Sequence, residues 1–299
     1  MKTSSSKVIN SALVLVICLV AGLIVAGQEK VKETIINKEA LKEVVKLKNK
    51  EFCSSENWSS DDKQQYRELR ESTVAAGGVI DVDAGRNGGI SVKGENRSDV
   101  LVRACVQTWG ETLDAAKAAV SSVRVSTAGA IRADGPEQSN YSVSFQILVP
   151  RNTDLRLKAH NGGISIGAVG GRIEFETVNG GVSLHQLSGD VHGRTTNGGV
   201  NVMLSGRSWE GSGLDVTTSN GGVNLTMPEN YAANIETGTV NGGFSSDIAA
   251  LNITTEDVKG AGWNNRAKQI KTAINGGGAP IRVATTNGGI RINSNTEKE

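Results

Sequence analysis

Aromatic residues are scarce in this chain, at 4% of 299 positions: four Trp, three Tyr and four Phe. Without large rings, a core must be thin and built from Val, Ile, Leu and Thr. Proline occurs only 4 times, and the 37 glycines follow no Gly-X-Y period, which excludes a collagen-like triple helix. The net charge of +1 removes any global pull toward nucleic acid. Histidine occurs three times, as His160, His185 and His192, in no metal-binding pattern, so no metal centre is expected. Cysteine also occurs three times. Cys18 lies in an apolar N-terminal run, which leaves Cys53 and Cys105 as one possible disulfide, with two free thiols as the alternative. The sequence has no Gly-x-Ser-x-Gly elbow and no phosphate loop. Its glycines separate strand-like segments rather than opening helices.

The chain has one long apolar run. Lys2 and Lys7 precede residues 12–26, and Val25-Ala26-Gly27 is an acceptable cleavage site, so residues 1–27 read as an export signal. Counted from Val8, the run (residues 8–26) could instead stay as an inner-membrane anchor. Ile17 before Cys18 does not fit a lipoprotein signal. The expected location is the periplasm or cell surface. Residues 28–72 read as a charged linker or stalk. Lys38, Lys42, Lys46 and Lys50 fall on one helical face that could touch anionic headgroups or simply be solvated.

Residues 73–150 read as a β-rich cap. Val100, Val102, Ala104 and Val106 alternate along one strand, Tyr141 to Ile147 form another, and Glu111 to Ser122 read as one short helix. Residues 151–293 carry the dominant signal, and 294–299 are a tail. Asn-Gly-Gly occurs eight times, beginning at Asn87, Asn161, Asn179, Asn197, Asn220, Asn241, Asn275 and Asn287. From Asn161 the spacings are 18, 18, 23, 21, 34 and 12. Apolar residues stand six before the Asn and three and five after it, and Thr stands two before it in most units. Each arm therefore alternates with period two, as a half-buried strand must. Asn-Gly tolerates the positive φ of a tight reversal. The stretch from Ser246 to Ala273 breaks the period and reads as an inserted loop or C-terminal cap.

Two all-β architectures fit. In a β-solenoid, each unit is one coil and like residues stack as ladders along the axis. In an antiparallel meander, each Asn-Gly is a hairpin loop. Identical residues recurring at one turn favour the solenoid, with one short helix in its N-terminal cap.

The recurrent Thr-x-Asn-Gly-Gly-Val/Ile-x-Leu/Val, with Gly189-Asp190-Val191 between turns, resembles the bacterial putative-adhesin family of β-strand-repeat domains. The resemblance covers roughly residues 73 to 292. It implies a cell-envelope location and a β-helix-like, adhesin-like domain. The motifs are structural, so they speak to fold more than to activity.

No residues are assigned to catalysis, cofactor binding or metal binding, and no cofactor is expected. Glu174 and Glu176 alternate on one strand and could be the carboxylates of a glycan-cleaving β-helix enzyme, but no aromatic platform flanks them. His185 and His192 could meet on adjacent strands. Trp209 and Trp263 fall in the irregular units and read as loop or cap packing. The leading expectation is a non-enzymatic envelope protein with an adhesin-like or structural role. Its contacts would be spread over rows of Thr, Ser, Asn and Arg, and its partner would be a protein, a glycan or another copy of itself. A carbohydrate-active enzyme and a membrane-anchored, self-assembling scaffold or sensor are the alternatives.

Overall fold

The computed structural model describes residues 52–53, 63–136, 140–248, 256–259 and 266–295, all within one compact unit, Phe52–Glu299. The expected signal or anchor, the lysine face of the stalk, Trp58 and Trp263 lie outside the described residues. Among the described residues, no helix is long and apolar enough to cross a membrane.

The strands, in chain order, begin with β1 (Gln64–Ala75), β2 (Ile80–Asp83), β3 (Ile90–Glu95) and β4 (Asp99–Gly110). Helix α1 (Leu113–Ser122) is followed by β5 (Arg124–Ser126), β6 (Ile131–Asp134) and β7 (Tyr141–Pro150). The repeats supply β8 (Leu155–Ala159), β9 (Ile164–Gly167), β10 (Gly170–Asn179), β11 (Val182–His185), β12 (Ser188–Asn197) and β13 (Val200–Met203). They continue through β14 (Gly213–Asn220), β15 (Val223–Met227), β16 (Ala233–Asn241) and β17 (Phe244–Ser246). The chain closes with β18 (Glu256–Lys259), β19 (Arg266–Ile274), β20 (Pro280–Asn287) and β21 (Ile290–Ser294). They form two sheets. The first runs β1-β4-β7-β3-β9-β11-β13-β15-β21-β17, and the second runs β18-β19-β16-β20-β14-β12-β10-β8-β2-β6-β5.

Seven of the eight Asn-Gly-Gly, all but the one at Asn275, carry the chain from one sheet to the other. Asn179 ends β10 in the second sheet, and Val182 opens β11 in the first. The two arms of a turn never pair with each other, so the antiparallel-hairpin reading does not hold for the repeats. Each strand pairs instead with the equivalent strand of a neighbouring unit, parallel and in register: Ile173 with Leu155 and Val191, and Val182 with Ile164 and Val200. The inward positions of both sheets meet in one apolar core. Leu155, Ile173, Val191, Leu214, Ile281 and Ile235 are each at most 2% exposed. Burying each such side chain is worth about 1.5–3 kcal/mol. Phe175 fills the space left by Gly193, its register partner, where an added Cβ would lie 2.1 Å from the ring.

The N-terminal end is antiparallel. β1 pairs along its length with β4, and β4 pairs with β7. This corrects the reading of residues 28–72 as a charged linker or stalk at its C-terminal end, because Gln64–Ser72 belong to a strand. Period-two apolar alternation is absent there, since β1 is nowhere fully buried. α1 packs on this edge. Thr112 caps its N-terminus by accepting from the Ala115 amide at 3.1 Å, and Thr108 Oγ1 donates to Ala116 O at 2.7 Å. At the other end, Arg70 reaches from β1 to donate to the carbonyls of Val123 and, at 2.9 Å, Val120. Cys53 is bonded to Cys105 of β4, with Cα atoms 5.5 Å apart. The adjoining Phe52 lies over the Arg103 guanidinium at 5.6 Å.

At the C-terminal end, spatial order departs from chain order. β20 lies between β14 and β16, and β21 lies between β15 and β17. The segment that breaks the period supplies β18 and β19, which extend the second sheet antiparallel beyond β16.

Candidate binding face

Three rows of residues, Asn, Thr and the first Gly, line the Asn-Gly-Gly edge, and all three serve the fold. Asn161 donates from Nδ2 to Asn87 Oδ1 at 3.0 Å. Asn179, Asn197, Asn220, Asn287 and Asn241 continue the ladder at 2.7–2.9 Å. None of these seven has positive φ. The eighth, Asn275, does (50°), and it sits in the β19–β20 turn, donating to the carbonyls of Glu229 and Tyr231. The expectation that Asn serves as a left-handed turn former therefore holds only at Asn275. Elsewhere it is chosen for an amide that can donate up the stack and accept from below.

The threonine row is also structural. Thr177, Thr195, Thr218, Thr285 and Thr239 are buried. Each Oγ1 donates at 2.8 Å to the first-glycine carbonyl of a neighbouring unit, namely that of Gly162, Gly180, Gly198, Gly221 and Gly288. The same carbonyls explain the first glycine. A Cβ on Gly180 would lie 2.1 Å from Gly162 O, and one on Gly198 would lie 2.1 Å from Gly180 O. The Asn ladder and the Thr row are thus withdrawn from the set of expected contact rows.

What remains free is the outward face of each sheet. On the first sheet, one row across β3, β9, β11, β13, β15 and β21 reads Ser91, Ser165, Ser183, Asn201, Asn224, Arg291. It is nearly uncharged, and Asn224 bonds to Asn201 at 2.9 Å. The second sheet is different. From β2 through β8, β10, β12, β14, β20 and β16 to β19, its row reads Asp81, Arg156, Glu174, His192, Asp215, Arg282, Glu236, Lys271. Acid and base alternate at every strand, with His192 in one of the basic places. A second row, Asp83, Lys158, Glu176, Arg194, alternates likewise and then turns neutral at Thr217, Ala284, Gly238 and Gln269.

The charges are held in place by one another. Arg156 lies 3.5 Å from Asp81 and 3.7 Å from Glu174, Arg194 lies 2.9 Å from Glu176, and Arg282 lies 2.9 Å from Asp215. His192 bonds to Asp190 of its own strand at 2.9 Å. The basic side chains and Glu174 are exposed and the other acids half-exposed, and such solvated pairs are worth at most about 1 kcal/mol each. All of these but Asp190 line a groove of about 760 Å³, together with Ala130 and Arg132.

His185 and His192 are not brought together. His185 lies on β11 of the first sheet and His192 on β12 of the second. Glu174 and Glu176 sit in the groove, each beside an arginine. Among the described residues no group of His, Cys, Asp and Glu could hold a metal ion. Trp209 is packed as expected, 7% exposed, and donates from Nε1 to Gly189 O at 2.9 Å. Tyr231 is fully buried, and its phenol is pushed up to about 12 by burial first and by the Glu210 charge second. The signal for the charged face was present in the sequence, because in the repeats the alternating charges stand five and three residues before successive turn asparagines. Reading it as a face required knowing that the strands pair in parallel register.

No family model and no curated protein sequence matches the chain. Three solved structures are similar to it. They are a putative cell adhesion protein from Clostridium sporogenes (10% identity, TM-score 0.38, covering 78% of this chain and 100% of that one) and a putative adhesin from Bacteroides fragilis (10%, 0.35, 77% and 97%). The third is a putative lipid binding protein from Parabacteroides distasonis (10%, 0.23, 77% and 97%). At these scores the likeness carries no inference about function.

Proposed function

We propose that the repeats wind as a two-sheeted β-solenoid, exported to the cell envelope, which acts without catalysis as an adhesin-like binding module through the charged face of its second sheet. The observation that carries this reading is the contrast between the two faces. The same coils, in the same register, leave one face nearly neutral and place an alternating charge array on the other, although exposed pairs add little stability. Charge arranged across many strands suits a broad polar partner rather than one small substrate. The Glu174 and Glu176 carboxylates are engaged by Arg156 and Arg194, which suits ion-pair contacts better than proton transfer.

The test is binding of the full chain to immobilised acidic and neutral polysaccharides and envelope proteins, compared with the Arg194→Glu/Arg282→Glu variant. Affinity for at least one of them is expected to fall at least tenfold in the variant. Unchanged binding throughout, or saturable release of reducing sugar or unsaturated product by pure protein, overturns the reading.

A further inference from the structure

The alternating row has an even number of members, and that makes it its own complement. We propose that the charged face of the second sheet docks face to face on the same face of a second copy of this chain, related by a two-fold axis parallel to the strands. This rests on the reading of that face as the contact surface.

Such an axis reverses the order of strands but preserves position along each strand. The first strand of the row then faces the eighth of the second copy, the second faces the seventh, and so on inward. Asp81 meets Lys271 of the second copy, Arg156 meets Glu236, Glu174 meets Arg282, and His192 meets Asp215. Every contact pairs an acid with a base or with histidine, and the symmetry makes each pair twice. No like charges meet.

Alternation along one row has a simpler source, since like charges directly opposite on neighbouring strands are destabilising. That source does not explain the flanking rows. In the second row, charge is confined to the first four strands, and the axis lays them on the neutral half. Lys158 faces Gly238, Glu176 faces Ala284, and Arg194 faces Thr217. In the row on the other side, Arg172 faces Pro280 and Asp190 faces Gly213. Three rows are therefore free of repulsion under one operation.

The size is also adequate. Eight strands at about 4.8 Å by three rows at about 6.8 Å cover roughly 780 Å² per copy, close to the ~800 Å² of a standard interface. Ladders such as the asparagine stack hold a sheet flatter than its intrinsic twist, which keeps distant pairs in reach. An interface of exposed charges should be weak and salt-sensitive.

The experiment is sedimentation velocity on the full chain at about 0.02 M and about 0.5 M ionic strength. Wild type is expected to dimerise at low salt and dissociate at high salt. Asp81→Lys and Lys271→Glu should each weaken the dimer about tenfold or more, and the double variant should return to within about threefold of wild type. Positions 81 and 271 are seven strand spacings apart in one chain, about 34 Å, so rescue can only arise between copies. Arg156→Glu with Glu236→Arg repeats the test at an independent pair should the first set fold poorly by circular dichroism. A wild-type chain that stays monomeric at low salt, or a double variant as weak as the singles, overturns the stack. If that chain still loses polysaccharide or protein binding on reversal of Arg194 and Arg282, the two-fold stack fails while the contact-surface reading stands.

Discussion

The Asn-Gly-Gly edge and the charged face of the second sheet lie on the same repeat units and repeat in opposite ways. At the edge, identity repeats: Asn stacks on Asn, glycine on glycine, and each threonine meets the next glycine carbonyl. On the face, only position repeats, while the residues alternate between acid and base. A row of identical amides satisfies itself because each side chain is both donor and acceptor. A row of identical charges would repel. The edge therefore spends its chemistry internally, whereas the face keeps charge available to solvent and to a partner. The two regions should separate cleanly when perturbed.

The largest effect is expected at the edge. Gly198→Ala places a Cβ 2.1 Å from Gly180 O, a stacked backbone atom that cannot move aside cheaply. A loss of about 3 kcal/mol or more in urea unfolding is expected. Gly199→Ala, whose nearest such atom is 3.4 Å away, should cost less than about 1 kcal/mol. Equal costs at the two positions would break the account of the edge.

Alkaline pH probes the core without touching the face. Tyr231 has its phenol raised from 10.0 to about 12 in the fold, so the folded state favours the protonated form. Its contribution is fully present below pH 10 and is lost as pH rises through about 12, amounting to about 2 kcal/mol. Chemical denaturation from pH 9 to 12 should show this loss in wild type and not in Tyr231→Phe.

The smallest stability effect is expected on the face. Arg282→Glu removes the 2.9 Å pair with Asp215 and places an acid between Asp215 and Glu236, yet Arg282 is exposed and both acids are half-exposed. Thermal unfolding should shift by less than about 1 kcal/mol. A larger loss would mean that the charged row is part of the fold and not a free surface.

Much of the fold was legible from residues alone. The alternation around Asn161, Asn179 and Asn197 marked strands, and the alanines between Glu111 and Ser122 marked the helix. β1 was not legible, because its Tyr66, Arg67, Leu69 and Arg70 do not alternate with period two. The charged face was hidden for a different reason. Asp81, Arg156, Glu174 and His192 are far apart in sequence and become a row only once register is known.

The sequence by itself determined where the chain turns and which residues point inward, because these depend on local sterics and on a period that any pairing must respect. Pairing direction was left to the tertiary structure, since period-two alternation is the same for parallel and antiparallel neighbours. So was the order of the last coils. β20 carries the same Thr285, Asn287 and Gly288 as its fellows and could stack anywhere. Between β14 and β16 it places Arg282 between Asp215 and Glu236, where chain order would have set those two carboxylates side by side.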